Sequence, residues 1–269
     1  MIKRIVFIVI VSLIFHFNGC DVSENVDLVD NHVEHIVVQA ELVKDSVFEG
    51  VQFTKTMSLT EQFDISKAEI KDAVAYIEID GSQVIPLHYS ESGIYKSLHK
   101  FRITGNSTYE LIAEVNGTLI YSKTIVPDTV IVSSSALIEN SYVTCRIKGQ
   151  TDEVYGAAWS AFPIFKAERF HSIVDGDPDN NYIATVRTQN IPDSIFQFIS
   201  NELRIEVYSF DKAFKEFFNS VDKSSSLSDI FAQGSGGIVE WNVYGENVIG
   251  LFIGYAKSKL LKPNFGKTK

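Results

Sequence analysis

The chain has 269 residues, 45% of them hydrophobic, and sets 24 Lys and Arg against 34 Asp and Glu for a formal net charge of −10. That balance argues against nucleic acid as a partner, because phosphate is bound by basic patches that displace its counterions. With two cysteines in the whole chain, stability has to come from a packed core and not from a disulfide framework.

At the amino end, Lys3 and Arg4 precede an uncharged run from Ile5 to Phe17, rich in Ile, Val and Phe. Its 13 residues fall short of the roughly 20 that cross a bilayer and match the apolar region of a secretory signal. The run closes on Phe17-Asn18-Gly19-Cys20, which resembles the lipobox of a bacterial lipoprotein, although Phe17 and Asn18 stand where Leu and a small residue are commoner. The resemblance implies a signal peptide over 1–19, cleavage before Cys20, a diacylglycerol on its sulfur and an acylated amine. Two or more chains anchor stably, at about 0.8 kcal/mol per buried methylene.

Residues 20–35 read as an acidic, flexible tether, since a polar segment without aromatics cannot bury enough surface to order itself. Acidic residues directly behind the cysteine also resemble the export signal that sends some Bacteroidota lipoproteins to the cell surface. Both the periplasmic and the surface face of the outer membrane stay open. His32 and His35, three apart, fall in this segment and read as solvated side chains.

The body begins with expected strands at Ile36–Leu42 and Gly50–Lys55. Two hairpins follow: Ala73–Ile79 with Gln83–Leu87 across Asp80-Gly81-Ser82, and Tyr109–Val115 with Thr118–Ser122 across Asn116-Gly117. Asp-Gly and Asn-Gly supply the positive φ that tight hairpins need. Residues 36–127 therefore read as a β-sandwich of immunoglobulin or transthyretin type, and Pro127-Asp128 marks the boundary.

Residues 128–262 read as a second, mostly β domain, followed by a tail over 263–269. Its strands are expected at Thr129–Ser134, Tyr142–Lys148, Val154–Ala161, Tyr182–Thr188, Leu203–Ser209, Gly237–Tyr244 and Val248–Tyr255. In Tyr142–Lys148 the alternation puts Val143, Cys145 and Ile147 on one face, so Cys145 reads as a buried, inert thiol. One amphipathic helix is expected over 211–221, with Asp211 as N-cap and Phe214, Phe217, Phe218 and Val221 on one side. The fold class is thus mainly β.

The sharpest chemical candidate is Val174-Asp-Gly-Asp-Pro-Asp-Asn-Asn181. Asp175, Asp177 and Asp179 alternate as the first ligands of a calcium loop do, but Asn180 and Val186 hold the places of its glycine and bidentate glutamate. The same residue types build an ordinary surface turn. No G-x-S-x-G elbow or H-E-x-x-H helix occurs, so no catalytic residue, resident metal or cofactor is assigned. Asp45-Ser46-Val47, Asp128-Thr129-Val130 and Asp193-Ser194-Ile195 resemble the O-glycosylation triplet of Bacteroidota envelope proteins.

Taken together, the acylated leader, the hairpin Tyr109–Tyr121 leading to Val126-Pro127, the strand running into Phe210–Phe218 and the closing Asn247–Gly254 resemble the Bacteroidota lipoprotein family called domain of unknown function 4249. Leu251 beside Gly250 departs from that family's closing pattern. The resemblance implies an outer-membrane lipoprotein, non-catalytic, serving as an accessory or ligand-binding component of a TonB-dependent uptake system, with the transporter as its expected partner. A cell-envelope adhesion or structural lipoprotein, and a surface enzyme acting on glycans, remain the alternatives.

Overall fold

The structure, a computed structural model, describes residues 32–264 apart from 59, 139–140, 162–164, 168–169, 200 and 222–238. The leader, Cys20 and the Ser-rich and Gly-rich stretch before the last strands lie outside the described residues. With 53% strand and 10% helix, the chain is mainly β, as the alternation implied.

The first half supplies β1 (Ile36–Val43), β2 (Val51–Lys55), β3 (Val74–Ile79), β4 (Gln83–Glu91), β5 (Ile94–Ser97), β6 (Ser107–Val115) and β7 (Thr118–Val126), with one helical turn, α1 (Ile65–Ala68), after β2. Both hairpins form where their turns predict. Asp80 and Gly81 take φ of 51° and 66°, and Asn116 and Gly117 take 50° and 82°. Strand β5 is an addition to the expected set. Ser92 and Gly93, also at positive φ, fold it back on β4, and it bridges β4 to β2.

The second half supplies β8 (Ile131–Ile138), β9 (Tyr142–Lys148), β10 (Glu153–Ala161), β11 (Phe165–Lys166), β12 (Val174–Asp175), β13 (Ile183–Arg187), α2 (Asp193–Ile199), β14 (Leu203–Asp211), α3 (Ala213–Ser220), β15 (Val243–Tyr244) and β16 (Val248–Lys257). The expected helix is α3, while α2 is a second, seven-residue helix outside the expected set. Its first turn hangs on the Pro192 carbonyl, which accepts the N–H groups of Ile195 and Phe196, a start signal carried by a proline just before the helix. Of the strand expected over Gly237–Tyr244, only Val243 and Tyr244 are strand among the described residues.

A 13-stranded sheet runs β11-β10-β14-β16-β1-β2-β5-β4-β3-β6-β7-β15, with β12 beside β10, and β13-β9-β8 form a separate sheet. Strand β16 comes last in the chain but lies parallel to the first strand, Ile36 opposite Val248 through to Val43 opposite Tyr255. The sheet then curls so that β7 reaches the other side of β16, where the Gly254 N–H donates to Thr124 Oγ1 at 2.9 Å.

Strand β16 thereby serves two cores at once. Phe252 belongs to a first cluster with Val38, Ala40 and Leu42 of β1, Phe53, Tyr95, Leu111 and Ile120. Leu251, Ile253 and Tyr255 belong to a second, with Val143, Cys145 and Ile147 of β9, Leu203 and Ile205 of β14, and Phe214 and Phe217 of α3. A strand buried on both faces reads as a continuous apolar run, as Val248-Ile-Gly-Leu-Phe-Ile253 does. Each large side chain fully buried in this way contributes about 1.5–3 kcal/mol.

Helix α3 is held by aromatic contact. Phe214 stacks on Phe210 of β14 with ring centroids 4.0 Å apart, and Phe170 meets Phe210 edge-on at 5.5 Å. Lys212, and not the expected Asp211, holds the N-cap place and makes no side-chain cap bond; Asp211, one residue earlier at the end of β14, accepts the Ala213 N–H at 2.9 Å.

Candidate functional site

The three alternating aspartates are not brought to one point. Asp175, the last residue of β12, forms an ion pair with Lys215 of α3. Asp177 caps the 3-10 turn Pro178–Asn180 by accepting the Asp179 N–H at 3.1 Å, and the Asp179 side chain is exposed. This is the surface-turn arrangement. Among the described residues no group of three or more His, Cys, Asp or Glu side chains is placed to hold a metal ion.

Cys145 is fully buried, and burial pushes its thiol up to about 12. His32 and His35 bracket Thr56 at the end of β2: His32 Nε2 lies 3.2 Å from the Thr56 carbonyl, and the His35 N–H donates to Thr56 Oγ1 at 3.0 Å. The hydroxyl-bearing residues of the three Asp-Ser/Thr triplets, Ser46, Thr129 and Ser194, are exposed.

Several carboxylates are engaged by neighbouring tyrosines. Glu41 accepts the Tyr255 hydroxyl and Glu206 the Tyr208 hydroxyl, both at 2.6 Å, and Glu153 accepts the Tyr155 hydroxyl at 2.8 Å. Burial raises all three phenols, so they remain neutral donors, and burial also raises Glu153 above the usual carboxylate range. The Tyr255–Glu41 pair joins β16 to β1, while the other two lie within β14 and β10.

The surface that stands out is the outward face of β4-β3-β6-β7-β15. Register places Pro86 opposite Tyr76, Tyr76 opposite Ile112, Ile112 opposite Tyr121 and Tyr121 opposite Tyr244. The result is one lateral row across five strands, about 19 Å from end to end at the usual interstrand spacing. On one side runs a row of Val84, Glu78, Glu110 and Lys123, and on the other a row of Val74, Glu114 and Leu119. Lys123 reaches Glu110 at 2.8 Å and, with the Tyr121 hydroxyl, holds that carboxyl below its ordinary range.

Exposed large apolar side chains concentrate on this face. Tyr121 is 40% and Tyr244 62% exposed, and Val74 and Leu119 are each 71% exposed. A soluble protein that leaves such side chains grouped marks an interaction site. Alternation in the two hairpins put Tyr76, Ile112 and Tyr121 on the outer face in principle. Their alignment depends on strand order and register, and Tyr244 joins it from a strand more than 120 residues further along than Tyr121.

A second feature is a cleft of about 900 Å³ where residues 32–35 cross the end of β2, lined by Val37, Gln39, Gln52, Met57, Phe63 and Ile65 among others. A smaller cleft of about 580 Å³ beside Glu41 and Val43 shares Gln39 and Gln52 with it. Both open on the face of β1 and β2 turned away from the first core.

No family model matches the chain, and no curated protein matches it.

Proposed function

We propose that the chain is an outer-membrane-anchored lipoprotein that acts, without catalysis, as a ligand-binding accessory to a TonB-dependent uptake system. The anchor reading rests on Lys3-Arg4, the apolar run and Cys20, and the transporter on the resemblance carried by the hairpins and the closing strand. The binding reading rests on one observation, the grouping of exposed aromatic and aliphatic side chains on the outward face of β4-β3-β6-β7-β15. That face is built on strands whose backbone is paired within the sheet, a rigid platform of the kind binding sites favour.

The anchor and the folded body are close in sequence. Eleven residues, Asp21 to Asn31, separate Cys20 from His32, a span of at most about 40 Å even when fully extended. A module tied this closely works beside the membrane, within reach of a transporter mouth.

The test is copurification. Cells are crosslinked, the outer membrane is solubilised in mild detergent, and proteins recovered with the wild type are compared with those recovered with Cys20→Ala. One TonB-dependent transporter in near-equal amount, lost or reduced with the variant, is the expected result. Recovery of no transporter overturns the accessory role.

A further inference from the structure

We infer that the aromatic row on the outward face of β4-β3-β6-β7-β15 is a binding platform for a neutral oligosaccharide chain. The inference rests on the ligand-binding reading above and deepens it by naming the ligand class.

Three properties of the row select that class. The first is shape. Pro86, Tyr76, Ile112, Tyr121 and Tyr244 form a line one residue wide and about 19 Å long, crossing the strands instead of following one of them. A line of flat apolar surface suits an extended chain whose successive rings each present an apolar face, and aromatic side chains offer that contact with little conformational freedom to lose.

The second is what borders the line. Carboxylates alternate with the apolar side chains: Glu78 and Glu110 in one neighbouring row, Glu114 in the other. The core of a protein–protein interface is depleted in charge, so this interleaving does not fit a protein partner or a second copy of the chain. It fits a ligand whose ring edges carry hydroxyl groups beside apolar faces, because Glu78 beside Tyr76 and Glu114 beside Ile112 can accept hydrogen bonds from hydroxyls.

The third is charge. Those carboxylates, in a chain of net charge −10, repel phosphate, sulfate and uronic acids. In the row beside Tyr121, Lys123 pairs with Glu110 at 2.8 Å. The groups beside the most central exposed ring are therefore an internally matched set of donors and acceptors, suited to a neutral polyol and not to a cation.

The experiment uses the full chain purified in a detergent without a sugar headgroup. It is titrated calorimetrically with neutral hexasaccharides of glucose in several linkages, of xylose, of mannose and of N-acetylglucosamine, and with oligogalacturonate as the anionic control. At least one neutral probe is expected to bind. Tyr121→Ala and Tyr244→Ala are each expected to weaken it roughly tenfold, the loss of one stacking ring. Tyr121→Phe, which keeps the ring, should retain most of the affinity, and melting temperatures should stay near the wild type.

Tyr244, on a two-residue edge strand, keeps the test decisive if Tyr121→Ala fails to fold. Binding to none of the neutral probes, binding that survives both ring removals, or binding to oligogalacturonate alone overturns the inference. So does a concentration-dependent dimer that Tyr121→Ala abolishes, seen in sedimentation with no sugar binding. A transporter that still copurifies in any of these cases leaves the uptake reading standing and removes the ligand class alone.

Discussion

A Cβ placed on Gly250 would lie 2.0 Å from the carbonyl oxygen of Val38, its register partner in the parallel pairing of β16 with β1. Gly250 also sits at φ +153°, where an L side chain is strained whatever the space. The strand that serves both cores therefore meets the first strand through a position only glycine fills. Gly250→Ala is expected to destabilise the protein by about 3 kcal/mol or more. Gly117→Ala, at φ +82° with nothing within 4 Å of the added atom, should cost about 1–2 kcal/mol. Urea midpoints of the two variants check the contrast, and equal midpoints would contradict it.

Asp211 joins a helix start to the opposite strand. One carboxylate oxygen accepts the Ala213 N–H, while the other accepts the Ile125 N–H at 2.7 Å and the Thr124 hydroxyl at 3.1 Å. Asp211→Ala leaves the Ala213 and Ile125 N–H groups and the Thr124 hydroxyl without this acceptor, an expected loss of about 2–3 kcal/mol. Asp211→Asn keeps one acceptor and should lose about half as much. Hydrogen exchange read at the Ile125 amide should accelerate in the alanine variant, and unchanged protection there would refute the link.

Two carboxylates should respond to pH in opposite directions. Burial raises Glu153 above its ordinary value, so the folded state holds its proton longer than the unfolded chain does. Stability falls as pH rises through that interval and stays lower beyond it. Glu153→Gln, which still accepts from Tyr155, should then stabilise the protein at neutral pH and change little below about pH 4. Asp128 runs the other way. The hydrogen bond from Lys44, 2.5 Å away, lowers it, so its contribution is present near neutral pH and lost as the medium is acidified. Asp128→Asn should therefore cost stability at neutral pH and little in acid. Urea unfolding at the two pH values reads both.

Cys145 should behave as part of the core. Its thiol, pushed up to about 12 by burial, stays protonated near neutral pH, and a protonated, enclosed thiol is a poor nucleophile. An aromatic disulfide reagent at mildly alkaline pH is expected to leave the native protein unlabelled and to modify one thiol per chain in urea, for protein whose Cys20 is acylated. Rapid labelling of the native form would place the thiol at the surface.

Much of the fold was legible because local chemistry wrote it. Asn116-Gly117 and Asp80-Gly81 fix their turns, and alternation in Tyr142–Lys148 places Cys145 inward. Strand β5 leaves no local sign, because its four residues, Ile94 to Ser97, are too few to show a period. The seven residues of α2 were too few for a 3.6-residue pattern to declare itself. The parallel pairing of β1 with β16 had no local sign at all, since the two strands lie more than 200 residues apart in sequence. The aromatic row is hidden for the same reason. Each tyrosine is an ordinary outward residue of its own strand, and only strand order turns them into a line.

The accessory role beside a transporter depends on the chain being fastened to a membrane through Cys20, so the most direct measurement is the intact mass of the amino-terminal peptide from protein isolated from its own cells. The account predicts a chain that begins at Cys20 and carries the mass of a diacylglycerol and an amide-linked acyl group. A chain that keeps its leader, or one cut elsewhere with an unmodified Cys20, would contradict it.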